Sequence, residues 1–390
     1  MDMKSVLKTS VAAAALFAVA TPVSAQEKTD NVTMMQKGVS VALYGQVNKS
    51  VQWASDGENG DRIAITDNDT SSTRWGLAIS APINPNFSFG ARLEVEMQSN
   101  DSNNLTLNSG GGDNNFGQSN FCERIAEVTL NHKQFGTISL GQGPTASDGT
   151  AEVDLSGTTV VALSAASSWA TNLGAVRFTR DTAGNVLSGV QINSAFNGLD
   201  GLSRQDRIRY DTPTIAGFQL SGSAISGGST DVALRYGAKF GAFQVAAAAA
   251  YWNQNSVSTT IDDGWDASAA VKHDSGLNAM IAGGKQNMKS GLGRPDPDFI
   301  FGKIGYIAKV FNVGPTSFAV DYGQADDFAQ AAGIAAITRS EGESVGVSAV
   351  QMFSATGTEA YLSWRRWTFD SANTNYNDVN TVIGGVRVKF

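Results

Sequence analysis

The sequence predicts an all-β fold, a transmembrane antiparallel β-barrel of sixteen strands, on three observations. Apolar and polar residues alternate along most of the chain, which is the period of a strand with two different faces. The connections between the alternating segments are short and long in turn, as in a barrel whose two rims differ. The chain also ends within such a segment, on the aromatic residue Phe390.

The first 25 residues have the pattern of a secretory signal peptide. Lys4 and Lys8 precede an apolar run at 11–20, and the small residues of 23–25 form a cleavage site. The run is too short for a membrane anchor, which needs about 20 apolar residues. We therefore expect 1–25 to be removed, 26–38 to form an N-terminal extension and 39–390 to form one barrel domain.

Composition excludes several other classes of protein. After the signal no run of about 18 apolar residues remains, so membrane-spanning helices are not expected. The formal charge of −8 argues against nucleic-acid binding, which calls for a basic face. Cys122 is the sole cysteine, so a disulfide scaffold is excluded. We interpret Cys122 as an ordinary loop residue, because no basic cluster surrounds it to lower its pKa.

The alternation is clearest at 86–98, where Phe87, Phe89 and Leu93 are in phase, and Arg92 and Glu94 belong to the opposite face. Sixteen segments read in this way are predicted strands. They are 39–53, 72–81, 86–99, 123–132, 136–143, 205–212, 216–225, 230–240, 242–253, 264–273, 277–286, 299–310, 316–325, 342–353, 358–369 and 379–390.

The connections fall into two alternating classes. Tight turns are expected at 82–85, 133–135, 213–215, 241, 274–276, 311–315 and 355–357. Longer loops are expected at 54–71, 100–122, 144–204, 226–229, 254–263, 287–298, 326–341 and 370–378. An even strand number with this alternation places both chain ends on the periplasmic side, and sixteen strands leave an aqueous interior.

The last strand carries Val382, Val386, Val388 and Phe390 on one face, which we expect to face lipid. Chain ends fray unless tied down, and an open sheet edge in lipid leaves backbone groups without partners. The strand at 379–390 is therefore expected to pair with the strand at 39–53, and Phe390 is interpreted as an assembly signal. Aromatic residues near strand ends are expected to form interfacial girdles; they are Trp53, Trp75, Tyr251, Trp265, Tyr361, Trp364 and Phe390.

Several segments resemble the general porins of Gram-negative outer membranes. They are Val-Ala-Leu-Tyr-Gly at 41–45, Ser-Ser-Thr-Arg-Trp-Gly at 71–76, Phe-Gly-Thr-Ile-Ser-Leu-Gly at 135–141 and the terminal Phe390. The resemblance implies an outer-membrane homotrimer surrounded by lipid and lipopolysaccharide, without a cofactor or enzymatic activity. It implies a water-filled channel for passive diffusion of ions and small hydrophilic solutes, narrowed by an inward-folded third loop.

By order, that loop corresponds to 144–204, although the Pro-Glu-Phe-Gly signature of enteric members is missing. Part of it, 175–179 or 189–193, has strand character. The family sets a basic wall against an acidic loop, so the resemblance implies a constriction formed by Arg74, Arg92, Arg207, Arg209, Asp148, Glu152 and Asp154. The register alone places these charges on the lumen face: Arg74, Arg92, Glu94, Glu96, Glu127, Arg207, Arg209, Arg235, Lys239, Lys272, Lys303, Arg365 and Arg387.

Three alternatives remain open at this stage. A hydrolase needs a nucleophile with a base, but the only histidines, His132 and His273, flank predicted turns. A secreted soluble β protein would not carry an apolar face around the whole strand series. A channel specific for a sugar or organic acid is closer, with Tyr44, Trp252 and Phe301 as lumen-facing aromatics. Loop acids are interpreted as a hydrophilic rim or as ligands for divalent cations that bridge lipopolysaccharide phosphates.

Overall fold

The computed structural model describes residues 33–36, 38–107, 121–164, 174–180, 187–331, 339–372 and 374–390, and the expected signal peptide lies outside them. Sixteen antiparallel strands form a closed barrel. Their bounds are β1 (Val39–Ser55), β2 (Arg74–Asn84), β3 (Phe87–Met97), β4 (Phe121–His132), β5 (Gly136–Pro144), β6 (Arg204–Asp211), β7 (Phe218–Ile225), β8 (Thr230–Phe240), β9 (Phe243–Asn253), β10 (Ile261–His273), β11 (Leu277–Met288), β12 (Asp298–Phe311), β13 (Gly314–Asp326), β14 (Ser340–Phe353), β15 (Thr358–Ser371) and β16 (Val379–Lys389). The sixteen strands expected from the alternation are confirmed.

Shorter elements decorate this wall. Strands Thr33–Gln36 and Arg62–Asp67 pair with β1, and Thr374–Asn375 pairs with β15. Strands Arg177–Thr179 and Leu187–Gln191 pair with each other in a separate two-stranded sheet, so the strand character expected in the long loop is real and leaves the barrel count unchanged. Among the described residues the helices are α1 (Ile192–Ala195) and α2 (Phe328–Ala331), with 3-10 turns at Asp69–Ser71 and Ser102–Asn104. In the described ranges no helix is long and apolar enough to cross a membrane.

One face of the wall strands exposes apolar side chains, as on β3, where Phe89, Leu93 and Met97 are exposed. Such a band is the surface that a barrel presents to lipid. Trp75, Trp265 and other expected girdle residues lie on this exposed face. Tyr361 is a correction, because it is buried and its hydroxyl donates to Asn48 Oδ1 at 2.6 Å. Tyr361 and Trp364 are an odd number of residues apart, so their side chains lie on opposite faces of the strand. Nearness to a strand end does not determine the face, and for this reason the expectation for Tyr361 was wrong.

The barrel closes where β16 pairs with β1, from Lys389 opposite Gln46 to Asn380 opposite Ser55. The expected pairing of the first and last strands is therefore confirmed. Beyond β16, Phe390 and Gly45 exchange both backbone hydrogen bonds, at 3.0 and 2.9 Å. The Phe390 ring lies against Gly45, where a Cβ atom would stand 2.6 Å from Cζ of the ring. The last residue thus completes the ladder and packs on a position that only glycine fits.

The inner face of the wall contacts the connection between β5 and β6, residues 145–203, called the long loop below. Its backbone amides at Ala146 and Val153 donate to Ser223 Oγ and Ser268 Oγ, at 2.7 and 2.9 Å. Both serines are buried and alternate with exposed residues of β7 and β10. The long loop also supplies many residues of the main apolar core, together with residues of β9–β13, β15 and β16.

The pairing of β1 with β16, called the seam below, yields a prediction about assembly. Gly45→Ala is expected to lower the yield of folded barrel, because the added Cβ would lie 2.6 Å from Phe390 Cζ and 2.8 Å from Arg74 O. Gly302→Ala is the matched control, since no heavy atom lies within 4 Å of its Cβ position. The folded fraction is measured after refolding, as the compact species in an unheated SDS gel. Deletion of Phe390 is expected to cause the larger loss, and equal yields for all variants would contradict this role of the seam.

Candidate pore constriction

The four predicted wall arginines lie on β2, β3 and β6, on the inner face of the barrel. Arg74 begins β2, and its Nε lies 3.9 Å from Glu94 Oε1. Arg92 lies on β3, with its side chain 37% exposed and its Nη2 2.9 Å from Glu127 Oε1. These two guanidinium groups keep contact with solvent while they pair with carboxylates of neighbouring strands.

Arg207 is enclosed instead, with its side chain 2% exposed. Its guanidinium pairs with Glu127, and it donates to the carbonyl oxygens of Pro144 at 2.9 Å and Gly141 at 2.8 Å. Gly143 makes room for this pair, because a Cβ there would lie 2.8 Å from Glu127 Oε2. Arg207 therefore holds the start of the long loop to the wall.

Arg209 has a similar environment on the next inward position of β6. Its Nη2 lies 2.7 Å from Asp211 Oδ1, and its Nη1 donates to Thr145 O at 2.6 Å. Asp211 also accepts from Ser221 Oγ at 2.5 Å. A buried charge is tolerated when it is paired and hydrogen-bonded, and both conditions hold here. The constriction role of the four arginines stays a prediction, with Arg74 and Arg92 facing solvent and the β6 pair fastening the loop.

Arg124 is a basic residue of this wall that the alternation of the sequence did not reveal. Its Nε donates to Glu94 Oε1 at 2.9 Å, and its Nη1 pairs with Glu96. The reason is a β-bulge, since the register shifts between Glu94 and Val95 and leaves Arg124 as the extra residue of β4. A bulge breaks the period of two and re-aims a side chain. The sequence does contain one indication of this residue. Glu94 and Glu96 are two acids on the inner face, and such acids need a basic neighbour.

The three predicted loop acids have different surroundings. Asp154 pairs with Lys303 Nζ at 2.6 Å, with side chains 1% and 0% exposed, so it anchors the loop. Asp148 Oδ1 lies 3.6 Å from Arg204 Nη1. Burial, and then the charge of Asp148, raise the pKa of Glu152 to about 7, although Arg204 opposes the shift. Glu152 is thus close to its titration midpoint near neutral pH.

Asp200 joins this acidic group and was not predicted. It accepts a hydrogen bond from the Gly149 amide at 2.7 Å. Burial, followed by the charges of Glu152 and Asp148, raises its pKa well above the ordinary value. The sequence placed Asp200 only in the second half of a long loop, and the return of the chain towards Gly149 brings it to the cluster.

The assembled site sets arginines of β2–β4 on the inner wall and a group of acids on the long loop, inside one barrel. Charges of opposite sign are held on different elements, and a field between wall and loop stays a prediction. Such a field orients dipolar solutes and favours those whose charges match ordered polar groups.

The enclosed arginines yield a prediction about stability. Arg207→Ala is expected to lower the free energy of unfolding by about 3 kcal/mol, because the buried Glu127 carboxylate keeps only the partly exposed Arg92 and two carbonyl groups lose their donor. Arg92→Ala is the matched control and is expected to cost much less, since Glu127 keeps Arg207. Urea unfolding in detergent micelles measures both. Equal losses would contradict the clamp assigned to Arg207.

Known proteins share the barrel fold of this chain. The model of the Gram-negative porin family matches residues 12–372, whereas no curated protein sequence matches the chain. The fold is similar to the anion-selective porin from Comamonas acidovorans, at 17% identity and a TM-score of 0.58, over 90% of this chain and 100% of that one.

Two further solved structures are similar to the chain. The outer-membrane channel DcaP of Acinetobacter baumannii is 15% identical with a TM-score of 0.57, over 92% of this chain and 99% of that one. OmpT of Vibrio cholerae, in a trimer form, is 14% identical with a TM-score of 0.52, over 90% of this chain and 100% of that one. With the family model matched along most of its length, the chain belongs to the Gram-negative porin family.

Proposed function

We propose that this outer-membrane channel is a homotrimer for passive diffusion of ions and small hydrophilic solutes, narrowed by the long loop and exported by a cleaved signal peptide. The observation that carries the proposal is the meeting of wall arginines and loop acids on the inner side of the barrel. Arg204 of the wall lies 3.6 Å from Asp148 of the loop, and Arg235 donates to Asp148 O at 2.7 Å. Channel activity without catalysis accounts for this arrangement of charges.

An inward fold of the long loop is supported by its anchors. Its residues bond to inner-face side chains of four different strands: Ser223 of β7, Asp231 of β8, Ser268 of β10 and Lys303 of β12. A loop that leaned away from the barrel could not reach side chains spread over so much of the inner wall. We infer that the loop crosses the bore and narrows it at the height of these contacts.

We propose that the balance of charges at the constriction sets the preference of the channel for anions or cations. Several ion pairs neutralise their own charges, among them Arg209 with Asp211 and Lys303 with Asp154. The loop acids Asp148, Glu152 and Asp200 remain, and Arg204 of the wall opposes them. The charges of Arg124 and Arg74 also act on Glu152. Protonation of these acids tips the balance towards anions. The anion-selective Comamonas porin shows the same fold, which is consistent with such a preference.

A substrate-specific channel is the second candidate, and the structure gives it less support. Trp252 and Phe301, two of the expected lumen aromatics, are 1% and 0% exposed because the long loop covers their sector. Tyr44 donates its hydroxyl to Glu94 Oε2 at 3.0 Å. A sugar channel needs accessible aromatic faces along its path, so general diffusion is the better account of these residues.

Trimeric assembly is proposed from the family and from the trimer form of the similar OmpT structure. Lipid covers the exposed apolar band, and lipopolysaccharide surrounds the acidic outer rim. Planar-bilayer recording tests the pore and the trimer together. Conductance steps in groups of three and passage of small hydrophilic solutes into liposomes are expected, whereas a protein without channel activity in bilayers would overturn the proposal.

Glu152 yields a prediction about pH. Its pKa of about 7 means that the carboxylate is charged above neutral pH and neutral below it. Lowering the pH through 7 should therefore shift the reversal potential towards anion selectivity. Glu152→Gln is expected to keep the reversal potential near its anion-selective value both above and below neutral pH. The small pH response that this variant retains is expected to come from Asp200.

Glu58→Gln is the matched control, since Glu58 lies exposed in the connection after β1. It should retain the pH response of the unaltered protein. Reversal potentials under a salt gradient, recorded on both sides of neutral pH, provide the measurement. An unchanged response in Glu152→Gln would remove this residue from the ion path.

A further inference from the structure

The inner face of the barrel carries more bases than acids near the short turns. This end is called the turn rim here, and the opposite end is called the loop rim. The acids of the turn rim, Asp211, Asp274 and Glu359, are paired with bases at 2.7, 3.0 and 3.2 Å. Among the described residues, the bases of this rim that are in phase with the inner positions of their strands are Arg209, Lys239, Lys272, Lys309, Arg387 and Lys389. The bases remain in excess when the terminal carboxylate of Phe390 is included.

Lys272 and Lys309 supply most of this excess. Lys272 of β10 lies between Gln244 of β9 and Asn278 of β11, which are two uncharged residues. Lys309 is exposed near the end of β12. In the described part of the chain neither lysine forms an ion pair. The water at the turn rim therefore meets two positive charges that no ion pair neutralises.

The loop rim has the opposite balance. The connection after β1 touches the long loop there, since Asn59 Nδ2 donates to Thr179 Oγ1 at 2.7 Å, and the connection after β3 does so through Asn103. Arg177 and Arg180 of the long loop oppose part of the acidic charge at this rim. The whole chain nevertheless has a formal charge of −8, so a basic turn rim leaves the excess of acids towards the loop rim. Acids of the two connections that keep contact with solvent include Asp61, Asp69 and Asp101.

Opposite charges at the two rims act on the ions that enter the barrel. A charged rim raises the local concentration of counterions, so cations collect at the loop rim and anions collect at the turn rim. A potential that is positive on the side of the loop rim drives both kinds of ion inwards and fills the bore with carriers. The reversed potential draws both kinds of ion out and depletes the bore. The size of the current then depends on the sign of the voltage.

We propose that the channel rectifies and carries the larger current when the loop rim faces the positive compartment. The inference rests on the proposed channel function and adds a direction to it. Lys272 and Lys309 determine the basic side, and the excess of acids at the loop rim determines the other side. This polarity lies along the barrel axis, whereas the field predicted at the constriction acts across the bore. It favours cations that enter from the loop rim and anions that enter from the turn rim.

Single-channel currents in a planar bilayer test this polarity, with the same KCl solution at pH 8 on both sides. The orientation of each channel is read from an Asn255→Cys variant of a Cys122→Ser parent, which has no other cysteine. Residue 255 is exposed in the connection between β9 and β10, at the loop rim. A polyethylene-glycol maleimide is expected to lower the current only when it is added to the chamber that this rim faces.

In about 0.1 M KCl the current is expected to be about 1.5-fold larger when the chamber at the loop rim is positive than at the reversed voltage. The screening length falls from about 10 Å at 0.1 M to about 3 Å at 1 M salt, so the ratio of the two currents should approach one in 1 M KCl. Equal currents at the lower salt concentration, or the opposite polarity, would overturn the inference. A parent without channel activity would instead contradict the proposed function.

A double variant tests the two lysines. Lys272→Gln combined with Lys309→Gln is expected to bring the current ratio at low salt to about one, because the excess of bases at the turn rim is lost. Lys289→Gln is the matched control, since it removes the same charge from the connection between β11 and β12 at the loop rim, and it is expected not to lower the ratio. An unchanged ratio in the double variant, or an equal fall in the control, would show that these lysines do not set the polarity. If the double variant forms no channels, Lys309→Gln alone decides, with a smaller fall of the ratio expected.

Discussion

Closure of the backbone hydrogen-bond ladder is the constraint on which the rest of this structure depends. In lipid, water does not satisfy an open strand edge, so the first and last strands have to pair. β1 and β16 do so over their shared length, and Phe390 extends the ladder by one more residue onto Gly45. On the inner side, Glu359 of β15 pairs with Arg387 of β16, which also donates to Ser71. The seam is thus fastened by backbone and side chains together.

Once the barrel closes, its interior has to be filled or left to water, and this protein does both. The long loop brings a core of the kind found in soluble domains, with aromatic rings packed edge to face. Other inner positions of the wall are polar, and their charges are paired across strands, as in Arg92 with Glu127. The same loop therefore supplies apolar core residues and, in the function proposed here, one side of the constriction.

The sequence supported the strands well because their signal is local. An alternation of apolar and polar residues over ten or more positions can be recognised without knowledge of the neighbouring strands. The strands from β1 to β16 follow from it. It failed where geometry interrupts the period. Arg124 faces inwards because of a bulge, and Tyr361 faces inwards because its phase along the strand, and not its distance from the strand end, sets its face.

The family resemblance treated the four wall arginines as one group, but their environments differ. Alternation along a strand predicts the face of a side chain and not the groups that surround it. Arg207 and Arg209 lie where β6 leaves the long loop, so carbonyl groups of 141–145 surround them. Asp154 and Glu152 are two residues apart, yet one meets Lys303 from a distant strand and the other meets further acids. Contacts between residues far apart in sequence decide which charge anchors and which titrates.

By itself the sequence determined the strand number and the pairing of the chain ends, because both follow from periodicity and from the need for closure in lipid. Only the tertiary structure decided how the long loop is anchored, which charges neutralise one another and which residues form the apolar core. The physical reason is that hydrogen bonds and ion pairs act over a few ångströms in space, whatever the distance along the chain.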